Sequence, residues 1–235
     1  MRRGIYILPN ALTLLGMFSG FYAMVAAVKG AYPLAAWAVL VAIMFDGLDG
    51  FVARLTRSTS RFGIELDSLS DLVAFGVAPA LLLYLSSLKE FGRVGWAGAF
   101  LFVACGALRL ARYNVQMHST ERRYFTGLPI PGAAFTVATM VIFLHKADIH
   151  YQGSPLVLGL TYALALLMVS TLRFHGIKEI DFSRRRPFIV LVALVMVFVV
   201  VVVEPEVALF GFALLYLAAS IIENIYLFKR RRTRT

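Results

Sequence analysis

Charged residues are scarce in this chain of 235 residues. They make up 15% of it, against 60% hydrophobic residues, and the mean hydropathy is +0.80. A soluble domain normally carries about a quarter charged residues. Cysteine is nearly absent, and the single Cys105 lies within an apolar run and can form no internal disulfide. The composition excludes an ordinary soluble domain and predicts an all-α integral membrane protein.

Several motifs of well-known enzyme and transporter classes are also missing. The chain has no GxxxxGK[ST] loop for nucleotide phosphates, and its four histidines do not follow the HExxH spacing of zinc peptidases. It shows no inverted repeat with paired broken helices of the transporter kind. The chemistry must therefore come from other residues.

Apolar runs long enough to cross a membrane predict eight transmembrane helices. The first run has no small-residue cleavage site of the usual kind, so we interpret it as a span rather than a signal peptide. A tight outer turn is predicted at Glu204 to Glu206. The predicted spans are Asn10–Val28, Tyr32–Ala53, Ile64–Ser86, Val94–Tyr113, Ala133–Leu144, Leu156–Leu172, Phe188–Val203 and Val207–Phe228.

The net charge is +10, and the distribution of the basic residues agrees with the predicted topology. With a cytoplasmic N-terminus and eight spans, 19 of the 23 Lys and Arg lie on the inner side, and only Lys29, Lys89, Arg93 and Lys146 lie outside. This is the positive-inside bias of membrane proteins. We therefore assign the basic residues to orientation and to contact with anionic lipid, rather than to nucleic acid.

Four carboxylates stand at the junction of the second and third spans, in the stretch DGLDGFVARLTRSTSRFGIELDSLSD. Asp46 and Asp49 are three residues apart and Asp67 and Asp71 four apart, so each pair projects from one face of its helix. Two such faces meeting across a hairpin would form a cage of oxygen ligands, which suits Mg²⁺ or Mn²⁺. The sequence therefore predicts a divalent metal site, where two ions could hold both oxygens of an in-line displacement at phosphorus.

Residues around the carboxylates favour a phosphate-bearing substrate. Gly50 and Gly63 would let a phosphate or nucleotide approach the helices closely, and Arg54 supplies a positive charge one turn beyond Asp49. The loop from Arg54 to Phe62 adds arginines and hydroxyls suited to phosphate oxygens. Because the site lies at the membrane boundary, the substrate would carry both lipid and phosphate.

The spacing DxxDGxxARx₈GxxxDxxxD resembles the signature of the CDP-alcohol phosphotransferase family. The resemblance implies a six-helix core with the active site at the cytoplasmic edge, and displacement of CMP from a CDP-linked lipid by an alcohol. It implies that Asp46 and Asp67 bridge two metal ions, Asp49 and Asp71 complete the sites, and Asp71 is the general base. Contacts with the CDP moiety are implied for Gly50, Arg54, Asn10, Thr13, Ser60 and Gly63.

Further stretches are similar to the phosphatidylserine synthase branch of that family. They are PNALTLLGMFSGF, FGIELDSLSDLVAFGVAPA, LRLARYNV and FTGLPIPGAA, all within roughly the first 145 residues. This similarity implies CDP-diacylglycerol as donor and L-serine as acceptor. Arg109 and Arg112 are candidates for the serine carboxylate, and snorkelling of these two arginines to the interface is an equally open interpretation.

The expected organisation is one polytopic domain, residues 1–235, in a cell membrane, with both termini and the active site cytoplasmic. We expect a catalytic core over about 1–175, peripheral helices over about 186–228, and, from the resemblance, a homodimer.

Three alternatives stay open at this level. The first is a sister enzyme that uses glycerol 3-phosphate or inositol 1-phosphate, whose dianionic acceptor would call for a denser basic cluster. The second is a divalent-cation transporter with the four acids as its transport site. In the third the acids form buried ion pairs with neighbouring arginines.

Overall fold

The computed structural model describes residues 7–56, 60–117, 127–172 and 203–232, with side chains up to residue 224 in the last helix. The described ranges are helical and contain no strand, which confirms the predicted fold class. The seventh predicted span, apart from Val203, lies outside these ranges, as do residues 57–59 of the loop from Arg54 to Phe62.

Ten helical segments occupy the described ranges. The α-helices are α1 (Ile7–Val28), α2 (Tyr32–Leu55), α3 (Arg61–Asp71), α4 (Ala78–Ser86), α5 (Arg93–Met117), α6 (Ile130–Lys146), α7 (Pro155–Val169) and α8 (Pro205–Arg232), with a π-helix over Leu72–Val77 and a 3₁₀-helix over Leu88–Phe91. Five continuous helical stretches in these ranges are long and apolar enough to cross a membrane, and α6 and α7 are shorter apolar helices.

Most helices extend a few residues beyond the predicted spans. The predicted turn at Glu204 to Glu206 is wrong in part, because α8 begins at Pro205 and includes Glu206; proline is well suited to a first helical turn.

Helices α1 and α2 form a closely packed hairpin. Small residues line the contact, among them the fully buried Ala23, Ala35 and Ala42, and they allow the two backbones to approach each other. The Ser19 hydroxyl of α1 donates a hydrogen bond to the carbonyl oxygen of Ala38 in α2, 2.7 Å away. Gly30 has a φ of 77° in the connecting turn, a conformation that favours glycine.

Helix α3, the π-helix and α4 form one continuous stretch, Arg61–Ser86. The π-helix follows Asp71 directly, and at its end the Ala78 N–H donates to the carbonyl oxygen of Val73, five residues back. Pro79 has no N–H to donate, so an ordinary helical ladder is interrupted at this point. The extra residue in the turn rotates everything that follows relative to Asp67 and Asp71, and this irregularity was not predicted.

The remaining helices pack around this core. Helix α5 contacts α7, α6 contacts α2, and α8 packs against α6, where the rings of Phe143 and Phe210 stack with centroids 5.2 Å apart. At one end of the bundle the Tyr32 hydroxyl donates to the Leu85 carbonyl, 3.0 Å away. At the other end α2 finishes and α3 begins, so both acidic pairs lie there. We call this the acidic end.

Candidate metal centre

The two predicted acidic pairs meet at the acidic end. Asp46 and Asp49 project from the last turns of α2, and Asp67 projects from α3. One carboxylate oxygen from each of these three residues lies within 4.8 Å of the others. Asp49 is 6% exposed and the other two are partly buried. The sequence spacing thus predicted the convergence of these three side chains correctly.

Asp71 lines the same cleft one helical turn beyond Asp67. Its carboxyl group lies within electrostatic range of that of Asp46. The negative charges of Asp46, Asp67 and Asp49 repel a negative charge on Asp71, and the positive charge of Arg109 attracts it. Asp71 therefore lies beside the cluster and within electrostatic range of an arginine of α5.

Helix α1 reaches the cluster through Thr13. The Thr13 hydroxyl lies 2.7 Å from the Asp49 carboxylate oxygen Oδ2 and 3.1 Å from the carbonyl oxygen of Pro9. The Ser70 hydroxyl, from α3, donates to the Thr13 carbonyl oxygen at 3.0 Å. Thr13, Asp49 and Ser70 are all buried. The Thr13 hydroxyl, predicted to contact CDP, is thus hydrogen-bonded to Asp49 in this structure.

Gly50 and Arg54 form a second part of the site on α2. A Cβ at Gly50 would lie 3.5 Å from Nη1 of Arg54, so the guanidinium group folds back over this glycine. The Arg54 charge lies within electrostatic range of the Asp49 carboxylate. A positive group and a bare backbone thus stand next to the carboxylates, where a phosphate could approach.

Asn10, Ser60 and Gly63 lie together where α1 meets the start of α3. The Gly63 N–H donates to the Ser60 hydroxyl oxygen at 3.0 Å, so Ser60 is the N-cap of α3. A Cβ at Gly63 would lie 3.1 Å from that oxygen and 3.2 Å from Oδ1 of Asn10. Two polar side chains therefore crowd Gly63 and favour glycine there.

Arg109 stands on the α5 side of the carboxylates. Its guanidinium carbon lies 5.6 Å from the ring centroid of Tyr113, in cation–π contact. Its charge acts on Asp71 and Asp46, and Tyr216 of α8 lies within electrostatic range of it. Arg109 thus lies within electrostatic range of both the acidic cluster and Tyr216 of α8.

Arg112, the other arginine predicted to bind serine, is placed differently. Its guanidinium donates to the carbonyl oxygens of Val169, Met168 and Ser170 at 3.2 to 3.5 Å, at the C-terminus of α7. These carbonyls have no partner within the helix. The structure therefore brings Arg109 to the carboxylates and directs Arg112 to the end of α7.

Several polar residues near the site were not predicted. Ser70 lines the cleft, and Tyr216 lies within electrostatic range of Arg109. Beside Asp67, Ser68 of α3 is hydrogen-bonded to Asn114 of α5, with the oxygen and nitrogen 2.9 Å apart. Ser68 and Ser70 flank the acids in DSLSD, and polar residues inside a span are a signal that could have identified them. Tyr216 offered no such signal, because only the packing of α8 brings it to Arg109.

The donor set fits a hard divalent cation. All three clustered ligands are carboxylate oxygens, which Mg²⁺ and Mn²⁺ prefer, and no softer sulfur or imidazole ligand lies among them. Three buried or partly buried carboxylates so close together repel one another unless a cation neutralises them. Asp46, Asp49 and Asp67 could therefore hold a metal ion, with Asp71 beside them.

Comparison with known proteins gives one consistent family. The family model described as CDP-alcohol phosphatidyltransferase matches residues 6–172. The chain is similar to a CDP-diacylglycerol–serine O-phosphatidyltransferase of Helicobacter pylori, at 41% identity over 95% of this chain and 93% of that protein. It is similar to a protein with the same name in Mycobacterium tuberculosis, at 44% identity over 58% of this chain and 50% of that protein. It is also 34% identical to an archaetidylserine synthase of Methanothermobacter thermautotrophicus, over 75% of this chain and 72% of that protein.

Proposed function

This chain belongs to the CDP-alcohol phosphatidyltransferase family, and we propose that it transfers the phosphatidyl group of CDP-diacylglycerol to the hydroxyl of L-serine, yielding phosphatidylserine and CMP. The observation that carries this function is the similarity to the Helicobacter pylori enzyme over nearly the whole chain. The convergence of Asp46, Asp49 and Asp67 supports it, since the reaction needs a centre for phosphate charge.

The carboxylates are the proposed metal ligands. Asp46, Asp49, Asp67 and Asp71 would hold Mg²⁺ or Mn²⁺, two ions by family resemblance, which when bound withdraw charge from the pyrophosphate oxygens. Asp71 is also the proposed general base. It lines the cleft beside the other three acids and lies within electrostatic range of Arg109, on the proposed acceptor side. From there it can accept the proton of the serine hydroxyl as that oxygen attacks phosphorus.

The CDP moiety is proposed to bind on the α2 side of the cluster. The Arg54 guanidinium, folded over Gly50 and close to Asp49, is placed to pair with a phosphate oxygen. Because Gly50 has no side chain, this guanidinium can cover the α2 backbone where the phosphate would approach. Asn10, Ser60 and Gly63, which meet at the start of α3, would form the adjoining edge of this pocket.

The acceptor is proposed to bind on the α5 side. Arg109 can bind the serine carboxylate while Asp71 faces the hydroxyl, because the two side chains lie within electrostatic range of each other. With Arg112 directed to the α7 carbonyls, Arg109 is the arginine of α5 that serves the acidic cluster. A single cation suits a monoanionic carboxylate, whereas glycerol 3-phosphate or inositol 1-phosphate would call for more positive charge.

We place the acidic end on the cytoplasmic side of a cell membrane, with both termini on that side. The distribution of Lys and Arg supports this orientation. Reaction of single cysteines, one introduced near Arg61 and one near Lys146, with a membrane-impermeant maleimide would test it in intact cells. Labelling of the first position from outside would contradict the orientation. A homodimer is also expected, and the mass of the purified protein in detergent tests it.

The reaction is tested by measuring CMP release from the purified protein with CDP-diacylglycerol and Mn²⁺. L-Serine, glycerol 3-phosphate and inositol 1-phosphate are compared as acceptors, for the wild type and for Asp71→Asn. Asp148→Asn is the matched control, because Asp148 is exposed at the opposite end of the bundle and its φ of 52° is one that asparagine also tolerates.

We expect serine-dependent CMP release in the wild type and in Asp148→Asn. Asp71→Asn should lose about 10²-fold or more, the usual contribution of a general base. Release with another acceptor would keep the family chemistry and contradict the choice of serine. Cation flux without any CMP release would favour the transporter interpretation instead.

A further inference from the structure

Thr13 makes the one hydrogen bond that the structure describes between α1 and a carboxylate of the cluster. Its hydroxyl has a single proton and two acceptors in reach, the Asp49 carboxylate at 2.7 Å and the Pro9 carbonyl at 3.1 Å. A hydrogen bond to a carboxylate is shorter and stronger than one to a neutral carbonyl. The proton therefore goes to Asp49.

Both groups of this pair are shielded from water. Thr13 and Asp49 are each 6% exposed. A buried carboxylate that lost its donor would lose a hydrogen bond that water could not readily replace. Since Asp49 Oδ2 accepts the hydrogen bond of the Thr13 hydroxyl, rotation of the carboxylate away from its present orientation would break this bond. The Asp49 side chain is thus fixed by a neighbour on another helix.

A second hydrogen bond fixes the neighbour itself. The Ser70 hydroxyl donates to the Thr13 main-chain carbonyl at 3.0 Å, and Ser70 is 5% exposed. Ser70 lies between Asp67 and Asp71 on α3, so Thr13 connects α1 both to Asp49 of α2 and to α3 between its two acids. Thr13, Ser70 and the four acids all line one cleft.

From these contacts we infer that Thr13 is a positioning residue of the metal centre, holding the Asp49 carboxylate in the orientation that binds the cation, with Ser70 holding Thr13. This inference rests on the proposed metal site and reassigns Thr13 from the CDP contact expected from sequence. A buried hydroxyl that donates its hydrogen bond to a carboxylate cannot also donate one to a nucleotide.

Direct metal binding tests the inference without relying on turnover. Mn²⁺ is titrated into the purified full-length protein in detergent without substrate, and free Mn²⁺ is read by electron paramagnetic resonance. The variants are Thr13→Val, which keeps the shape and removes the hydroxyl, and Thr13→Ser, which keeps the hydroxyl. Thr161→Val is the matched control, because Thr161 is equally buried and its hydroxyl bonds only the Val157 carbonyl of its own helix among the described contacts, at 2.8 Å.

Thr13→Val should weaken Mn²⁺ binding about tenfold, the lower end of what loss of an outer-shell partner costs. Thr13→Ser should stay within about threefold of the wild type, and Thr161→Val should match it. At saturating Mn²⁺ the KM for CDP-diacylglycerol should be within about twofold of wild type in Thr13→Val, because uniform binding of the substrate is not affected.

Wild-type Mn²⁺ affinity in Thr13→Val, or equal weakening in Thr13→Ser and Thr13→Val, would overturn the inference. If Thr13→Val does not fold, Ser70→Ala replaces it: weaker Mn²⁺ binding than wild type supports the role, and wild-type binding overturns it. Failure of the proposed function is distinguishable. Intact Mn²⁺ binding with no serine-dependent CMP release would overturn the reaction alone, whereas no Mn²⁺ binding in the wild type would overturn the metal site and the inference together.

Discussion

Arg112 donates a hydrogen bond from Nη1 to the carbonyl oxygen of Val169, 3.2 Å away, at the last residue of α7. The last carbonyls of a helix have no intrahelical partner, and a cation there also interacts favourably with the helix dipole. This contact joins α5 to α7 and explains an arginine near the membrane boundary without giving it a substrate.

Replacing Arg112 should therefore affect stability more than catalysis. We expect Arg112→Ala to lower the free energy of unfolding by about 1.5–3 kcal/mol, the range for hydrogen bonds to charged groups. The KM for serine should stay within about twofold of wild type, since uniform binding of the acceptor is untouched. Thermal unfolding in detergent and acceptor kinetics check the two expectations. A large rise in the KM for serine with unchanged unfolding would return Arg112 to the acceptor site.

Arg109 should behave in the opposite way. Arg109→Lys keeps the charge and removes the planar guanidinium that binds a carboxylate through two nitrogens. We expect the KM for serine to rise about tenfold, as for one hydrogen-bonded charge pair of about 1.4 kcal/mol, with a smaller change in the KM for CDP-diacylglycerol. Arg93→Lys is the matched control, because Arg93 is exposed at the other end of α5. Equal effects on both substrates would argue against an acceptor role.

Tyr216 tests whether α8 takes part in the site. Its phenol lies within electrostatic range of Arg109, and its ring packs close to Gly132 of α6. Tyr216→Phe keeps the ring and removes the hydroxyl, so we expect the KM for serine to rise about twofold to fivefold, a fraction of one hydrogen bond. Tyr162→Phe is the control, since the Tyr162 hydroxyl bonds the Val94 carbonyl at the opposite end of α5. An unchanged KM in Tyr216→Phe would leave α8 with a packing role only.

The acidic site could be predicted from sequence because its information is local. Asp46 and Asp49 share a helical face by their spacing alone, as do Asp67 and Asp71. Because the connection between the two spans is short, both pairs lie at the same end of the bundle. The membrane fold was equally accessible, since span lengths follow from hydropathy.

The partners of single polar side chains were not accessible in this way. Arg109 and Arg112 stand in the same short sequence motif, RLAR. Only the position of α7 shows that Arg112 binds its carbonyls while Arg109 lies within electrostatic range of the carboxylates. Tyr216 needs the packing of α8 on α6. The π-helix packs through Ala74 against Gly20 of α1, and these two residues are distant in sequence. Periodicity reports which face a residue occupies, but not what lies opposite it.

Removal of metal should change stability as well as activity. Chelation with EDTA should abolish CMP release, and Mn²⁺ should restore it. Because a ligand that binds only the folded state stabilises it, Mn²⁺ at about 100 times its Kd should add about 2.7 kcal/mol to the free energy of unfolding. Asp67→Asn should show little of this gain. Without metal, however, Asp67→Asn should unfold at a higher temperature than wild type, since it removes one of three mutually repelling carboxylates. A metal-free Asp67→Asn protein less stable than wild type would contradict this picture of the site.

Gly20 should be required for the position of Asp71. A Cβ at Gly20 of α1 would lie 2.5 Å from the Cα of Ala74 in the π-helix, and a backbone atom cannot move aside as a side-chain end can. Gly20→Ala must therefore push α1 away from the segment that follows Asp71, and overpacking of this kind costs about 1–3 kcal/mol. Gly159→Ala is the matched control, because a Cβ there meets nothing within 4 Å and alanine favours the helix by up to about 1 kcal/mol. We expect Gly20→Ala to unfold at a lower temperature and to lose kcat, and Gly159→Ala to unfold at the same temperature or higher. If Gly20→Ala lost stability but kept its kcat, the close approach of α1 to the π-helix would serve packing alone, and Asp71 would owe its position to α3.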